Sequence, residues 1–110
     1  MVLDIKSFRE WLMRHNTDDI VGYTSVGDKC PIALYLKTQC SPETTVVVDG
    51  IRAWSYSPHY RFFVIPTWKH DTLPLECWAR DFVTGVDALG HKGTPVRVSD
   101  ALKVLDNDTN

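Results

Sequence analysis

The 110-residue chain lacks any apolar run near the ~20 residues that a membrane-spanning helix needs. Residues 1–6 carry charges where a secretory signal peptide would need its apolar stretch, so we do not expect secretion. The three cysteines cannot all pair within one chain, and an odd number of thiols fits a reducing compartment. These absences together predict a cytoplasmic protein without a membrane anchor.

An excess of charge of one sign is also absent. The 12 basic and 14 acidic residues leave a formal net charge of −2, so no strong field draws the chain to a phosphate backbone. The chain has no repeat, low-complexity tract or interdomain linker, while its 44% hydrophobic content excludes wholesale disorder. We therefore expect one globular domain over residues 1–106, followed by a flexible C-terminal tail at 107–110.

Sequence patterns of common catalytic and metal sites are missing as well. The chain has neither a Cys-x-x-Cys pair nor a phosphate-binding or dinucleotide-binding glycine motif, and its carboxylates do not cluster. The residues that could bind a metal lack the short paired spacing of structural zinc sites. They are Cys30, Cys40, Cys77, His15, His59, His70 and His91. The sequence therefore predicts no metal, no cofactor and no enzymatic activity.

Cys30 is the one residue that supports a chemical hypothesis. It precedes Pro31 at a predicted helix start, where backbone N–H groups and the helix dipole favour a thiolate. A thiol-based enzyme or redox sensor is one interpretation. The other is a small buried residue at the start of a helix, which fits the lack of a nearby histidine to act as a base.

Apolar periodicity predicts four helices, at residues 5–15, 30–39, 74–89 and 100–106. The β-branched run at 44–48, residues 51–56 and residues 60–65 predict three strands, the last ended by Pro66. Residues 20–23 fit a short strand or an ordered loop, and residues 93–98 an extended connector. The order ααβββαα indicates an α+β fold with a small three-stranded antiparallel sheet packed by about four helices.

A favoured hairpin turn at Asp49-Gly50 fixes an expected strand register, pairing Val48 with Ile51 and Thr45 with Trp54. Because side chains alternate along a strand, each face of the hairpin is then defined. The expected core face holds Val46, Val48, Ile51 and Ala53. The opposite face holds Thr45, Val47, Arg52, Trp54 and Tyr56.

Aromatic residues make up 11% of the chain, and this excess needs a reason. Helix stripes account for Trp11, Trp78 and Phe82, but the hairpin register places Trp54 and Tyr56 opposite the core. A patch of tryptophan, tyrosine and arginine is typical of protein-binding hot spots. It can also stack single-stranded bases, although the net charge of −2 argues against nucleic acid.

Trp68 stands in a segment at 66–74 that is bounded by prolines and predicted to be a loop. Its ring either plugs the core or forms a second exposed anchor. The predicted partner-binding residues are therefore Arg52, Trp54, Tyr56, Arg61 and Trp68.

Three stretches of the chain resemble a known group of proteins: VG…CPIAxYL at 21–36, LPxxxWAxxFVxxVDALG at 73–90 and TPVxVxxALxVL at 94–105. The group consists of small bacterial proteins, cyanobacterial ones among them, and phage proteins that carry no assigned activity. The resemblance implies an accessory protein in a bacterial or infected-host cytoplasm. For a phage protein it implies modulation of a host protein or defence system by direct contact.

The leading hypothesis is a non-enzymatic protein that binds a protein partner, either a second copy of itself as a homodimer or a host protein. Single-stranded nucleic-acid binding through Arg52, Trp54 and Tyr56 is the alternative, and thiol chemistry at Cys30 the third.

Overall fold

Helices and strands alternate along the chain more often than the sequence pattern predicts. The computed structural model describes the backbone of residues 1–61 and 65–108, and the side chains of residues 1–57 and 71–107. The elements in chain order are α1 (Ile5–Met13), β1 (Ile20–Tyr23), α2 (Pro31–Lys37), β2 (Thr45–Val48), β3 (Arg52–Arg61), β4 (Ile65–Pro74), α3 (Cys77–Asp87), β5 (Pro95–Arg97) and α4 (Val98–Asp108). The α+β class is confirmed.

The helices supply most of the buried core. α1 begins after Asp4, whose carboxylate accepts a hydrogen bond from the Ser7 N–H at 3.0 Å, as expected of an N-terminal cap. Phe8 and Phe82 are fully buried between the helices. α4 is longer than predicted at both ends: it begins at Val98 and continues to Asp108, while residues 109–110 of the predicted tail lie outside the described residues.

The prediction of a single sheet is wrong, because the expected connector at 93–98 contains β5. β5 pairs antiparallel with β1, with Gly22 opposite Val96, and forms a separate two-stranded sheet. Val96 is fully buried and Val21 nearly so. A strand of three residues that begins with proline is too short to show an alternating pattern, and its partner lies far away in the sequence.

The predicted strand at 60–65 and the predicted loop at 66–74 are also wrong. β3 and β4 form one long antiparallel ribbon in which Arg52 pairs with Pro74 at one end and Arg61 with Ile65 at the other. The sheet order β2-β3-β4 places β4 at an edge. Residues 62–64, which the prediction assigned to the third strand, lie outside the described residues.

Prolines misled the prediction because three of them lie inside this ribbon. The Leu75 N–H donates to the Ile51 carbonyl at 2.9 Å, which makes this pair a hydrogen-bonded one in the same register. Hydrogen-bonded and non-hydrogen-bonded pairs alternate in an antiparallel ladder. Pro58, Pro66 and Pro74 therefore fall at non-hydrogen-bonded pairs, where their missing N–H costs the β3–β4 ladder nothing.

The β2–β3 register differs from the predicted one by two residues, with Val47 opposite Trp54. The Asp49 carboxylate accepts hydrogen bonds from the Ile51 and Arg52 N–H groups, both at 2.8 Å, and so moves the turn one residue along the chain. Ile51 is consequently 62% exposed rather than in the core. Because a shift of two preserves the alternation, both hairpin faces otherwise keep their predicted residues.

Candidate functional site

The side of the β2–β3 hairpin that faces away from the core is the candidate site, and we call it the aromatic face. Val46, Val48, Ala53 and Ser55 are buried on the core side. The alternating residues between them are half-buried, except for Arg52, which is exposed. The aromatic face comprises Thr45, Val47, Arg52, Trp54 and Tyr56.

Arg52 and Trp54 contact each other on this face. The Arg52 guanidinium lies 5.5 Å from the centroid of the Trp54 ring, within the range of a cation–π contact. Its Nε also lies 3.7 Å from the Asp49 carboxylate. The hydrogen bond from the Ile51 N–H holds the pKa of Asp49 below its usual value, with smaller contributions from the Arg52 N–H and guanidinium. The aromatic face thus presents an arginine and a tryptophan in contact with each other.

Arg61 and Trp68 have described backbones, while their side chains lie outside the described residues. Arg61 pairs with Ile65 at the far end of the ribbon, and Trp68 pairs with Pro58 inside β4 rather than standing in a loop. The structure therefore brings together Arg52, Trp54 and Tyr56 of the predicted partner-binding residues, and it places Trp68 in the same sheet.

The aromatic residues of the helices pack together at the core, as the helix periodicity predicts. The Phe8 ring contacts four other rings at centroid distances of 5.1–6.0 Å, those of Trp11, Tyr35, Trp78 and Phe82. These rings come from α1, α2 and α3. The cluster explains much of the aromatic content without any function, and it leaves Trp54 and Tyr56 as the residues to be explained.

Cys30 lies at the start of α2 as predicted, and its surroundings distinguish the two interpretations of its thiol. Its Sγ accepts a hydrogen bond from the Ala33 N–H at 3.4 Å. Burial raises the pKa of the thiol to about 11, and the nearby Asp87 and Asp28 carboxylates add to the rise, against the hydrogen bonds from Ala33 and Ile32. Cys30 is therefore a buried, protonated thiol at neutral pH, which fits the interpretation of a small buried residue at the start of a helix rather than that of a thiolate.

A cavity of about 240 Å³ opens above Cys30, and no sequence pattern indicates it. Ser25 at its rim has a φ of 55°, and its N–H donates to the Asp87 carboxylate at 2.8 Å. The described lining of the cavity contains two carboxylates, those of Asp49 and Asp87, and no histidine. Among the described side chains, those of residues 1–57 and 71–107, no three of His, Cys, Asp or Glu are grouped to hold a metal ion.

We expect Cys30 to resist alkylation in the folded protein. With iodoacetamide at pH 7.5, the exposed Cys77 reacts readily, whereas Cys30 reacts only after denaturation, because its thiol is both buried and protonated. Mass spectrometry of peptides from native and urea-treated samples measures both rates, with Cys77 as the internal control. Labelling of native Cys30 at a rate comparable to that of Cys77 would contradict the described burial.

Comparison with known proteins adds no relative. No protein-family model, curated protein or solved structure matches the chain. No helix in the described part of the chain is long and apolar enough to cross a membrane. The resemblance to small bacterial and phage proteins stays a prediction, and the function has to be argued from the residues of this chain.

Proposed function

We propose that the chain is a non-enzymatic binding protein whose aromatic face docks onto another protein. The observation that carries this proposal is the Arg52–Trp54 contact on the sheet face opposite the core. Tryptophan, tyrosine and arginine are the residues that most often dominate binding energy in protein interfaces. A contact already present in the free chain reduces the conformational entropy that binding must cost.

The surroundings of the pair also favour a protein partner over single-stranded nucleic acid. Asp49 lies beside the Arg52 guanidinium and is ionised at neutral pH, so the local field is not strongly positive. Arg52 is therefore suited to a mixed polar and aromatic protein surface rather than to a chain of phosphates. Modulation of a host protein, as the bacterial and phage resemblance implies, is one form of this proposed role.

Substitution of Trp54 or Arg52 by alanine is expected to weaken partner binding at least about 10-fold, as loss of a hot-spot residue does. The immobilised chain is used to capture proteins from a lysate of its host cells, and bound proteins are quantified by mass spectrometry. A partner is a protein that is retained by the unchanged chain and lost with both variants.

Met13→Ala is the matched control, because Met13 is 64% exposed on α1 and lies outside the aromatic face. Circular dichroism of all variants verifies that the fold is intact. If every captured protein binds Trp54→Ala and Arg52→Ala as well as it binds Met13→Ala, the aromatic face is not the docking surface.

A further inference from the structure

β4 is the edge strand of the three-stranded sheet and is unusually long for that position. It spans Ile65–Pro74, and the sheet order ends with it in the described part of the chain. Edge strands in globular proteins are commonly short or interrupted, because their outward N–H and C=O groups can pair with another strand. A ten-residue edge is therefore long enough to pair with another strand.

The pairing with β3 decides which groups of β4 point outward. Ile51 and Leu75 form a hydrogen-bonded pair, and such pairs recur at every second residue of an antiparallel ladder. The odd-numbered residues of β4 therefore bond to β3, and the even-numbered residues direct their backbone N–H and C=O groups away from it. Trp68, His70 and Thr72 therefore offer outward N–H groups. Pro66 and Pro74 have none, and each lies four residues from His70. The outward edge is thus symmetric about His70 and ends at a proline on either side.

Charge selects a second copy of β4 as the strand that fits this edge. In antiparallel pairing centred on His70, residue 69 of one copy lies opposite residue 71 of the other. Lys69 and Asp71 are therefore opposite each other at two positions, one on each side of the axis. The two neighbouring registers are centred on residue 69 and on residue 71. The first places Lys69 opposite Lys69 of the other copy, and the second places Asp71 opposite Asp71. Opposite charges across strands stabilise the pairing, and like charges destabilise it. The Asp71 side chain is 58% exposed while it contacts the Met1 amino group, so it remains accessible.

We propose that β4 pairs antiparallel with β4 of a second copy about a two-fold axis at His70. Trp68, His70 and Thr72 of each copy supply the N–H groups, for about six backbone hydrogen bonds between the copies. The two sheets become one continuous sheet. The inference goes beyond the proposed function, because it uses the edge of the sheet and does not require the aromatic face.

The pairing has a structural consequence for the aromatic face. A two-fold axis perpendicular to a continuous sheet keeps the same face of both copies on the same side. The aromatic faces of the two copies therefore lie side by side, and the dimer presents two binding surfaces in one direction. Such a surface suits a partner that is itself symmetric or repetitive.

Analytical ultracentrifugation of the full chain over a range of concentrations tests the proposal. We expect a species of twice the 12.5 kDa of one chain. Asp71→Lys and Lys69→Asp each place like charges opposite one another and are expected to weaken the dimer about 10-fold. An equimolar mixture of the two variants restores opposite charges at both positions, so it is expected to dimerise as the unchanged chain does. Asp81→Lys, an exposed site on α3, is the control for net charge.

A chain that stays monomeric at all concentrations overturns the proposal, and so does a dimer that both single variants leave unchanged. Hydrogen exchange gives a second readout, since the amides of His70 and Thr72 become protected only in the dimer. Trp54→Ala separates this inference from the proposed function, because it is expected to abolish partner capture and leave the dimer mass unchanged. An unchanged chain that captures a partner in the lysate experiment but forms no dimer would refute the edge pairing and leave the proposed function standing.

Discussion

Phe8→Ala is expected to destabilise the fold more than any other single truncation in α1. Phe8 is fully buried and contacts rings from all three helices of the aromatic cluster. Removing a buried phenylalanine side chain costs about 3–5 kcal/mol, because the transfer free energy is lost and a cavity remains. Small domains have a total stability of about 5–15 kcal/mol, so this loss is a large fraction of it.

Urea denaturation followed by tryptophan fluorescence measures the change in the free energy of unfolding. A loss of about 3 kcal/mol corresponds to a decrease of roughly 15 °C in the melting temperature for a domain of this size. Met13→Ala in the same helix is the control and is expected to change stability by less than about 0.5 kcal/mol, since Met13 is exposed. A Phe8→Ala variant within about 1 kcal/mol of the unchanged chain would show that the cluster does not hold the three helices together.

Gly22→Ala is expected to destabilise the protein by about 3 kcal/mol through a clash rather than a cavity. A Cβ at residue 22 would lie 2.7 Å from the Pro31 nitrogen and 2.8 Å from the Lys29 carbonyl oxygen. Both are backbone atoms that the fold holds in place. The Lys29 carbonyl accepts the Tyr23 N–H at 2.8 Å, and Pro31 is the first residue of α2. Neither can move aside without opening the contact between β1 and α2.

Gly50→Ala is the matched control for that prediction. A Cβ at residue 50 meets nothing within 4 Å. The added methyl group is therefore expected to leave stability unchanged or to raise it by about 0.5 kcal/mol, because alanine restricts the unfolded chain. Thermal denaturation of the two variants side by side separates the close approach at Gly22 from the general effect of replacing glycine. Equal melting temperatures would mean that β1 and α2 pack less closely than described.

The helices are the part of the fold that the sequence predicts well. Apolar residues at helical spacing depend only on near neighbours, so Phe8 with Leu12 and Ala79 with Phe82 mark buried faces before any tertiary contact is known. The sequence offers both Asp4 and Ser7 as the residue that caps α1, and the structure selects Asp4. The ends of the helices are less certain, since α3 begins at Cys77 rather than at residue 74.

The strands depend on partners that lie elsewhere in the chain, and here the prediction is weaker. Prolines at 66 and 74 indicate a loop when their segment is considered alone. They become acceptable in β4 only once the register with β3 is known. β5 is undetectable from its three residues, because β1 defines it from a distance. The edge of β4 therefore became visible only with the topology.

By itself, the sequence determined the α+β class, the helix faces and the separation of Trp54 and Tyr56 from the valine core, because alternation and periodicity are local properties. The three-dimensional structure was needed to decide the register of the hairpin and the chemical state of Cys30. The Asp49 carboxylate changes the turn by accepting hydrogen bonds from two backbone N–H groups. At Cys30, burial raises the pKa of the thiol by more than the N–H groups at the helix start lower it. The state of Cys30 depends on which groups lose contact with water, and only the packed chain sets that. The Asp49 contacts are local and exposed, but the sequence of the hairpin fits either turn.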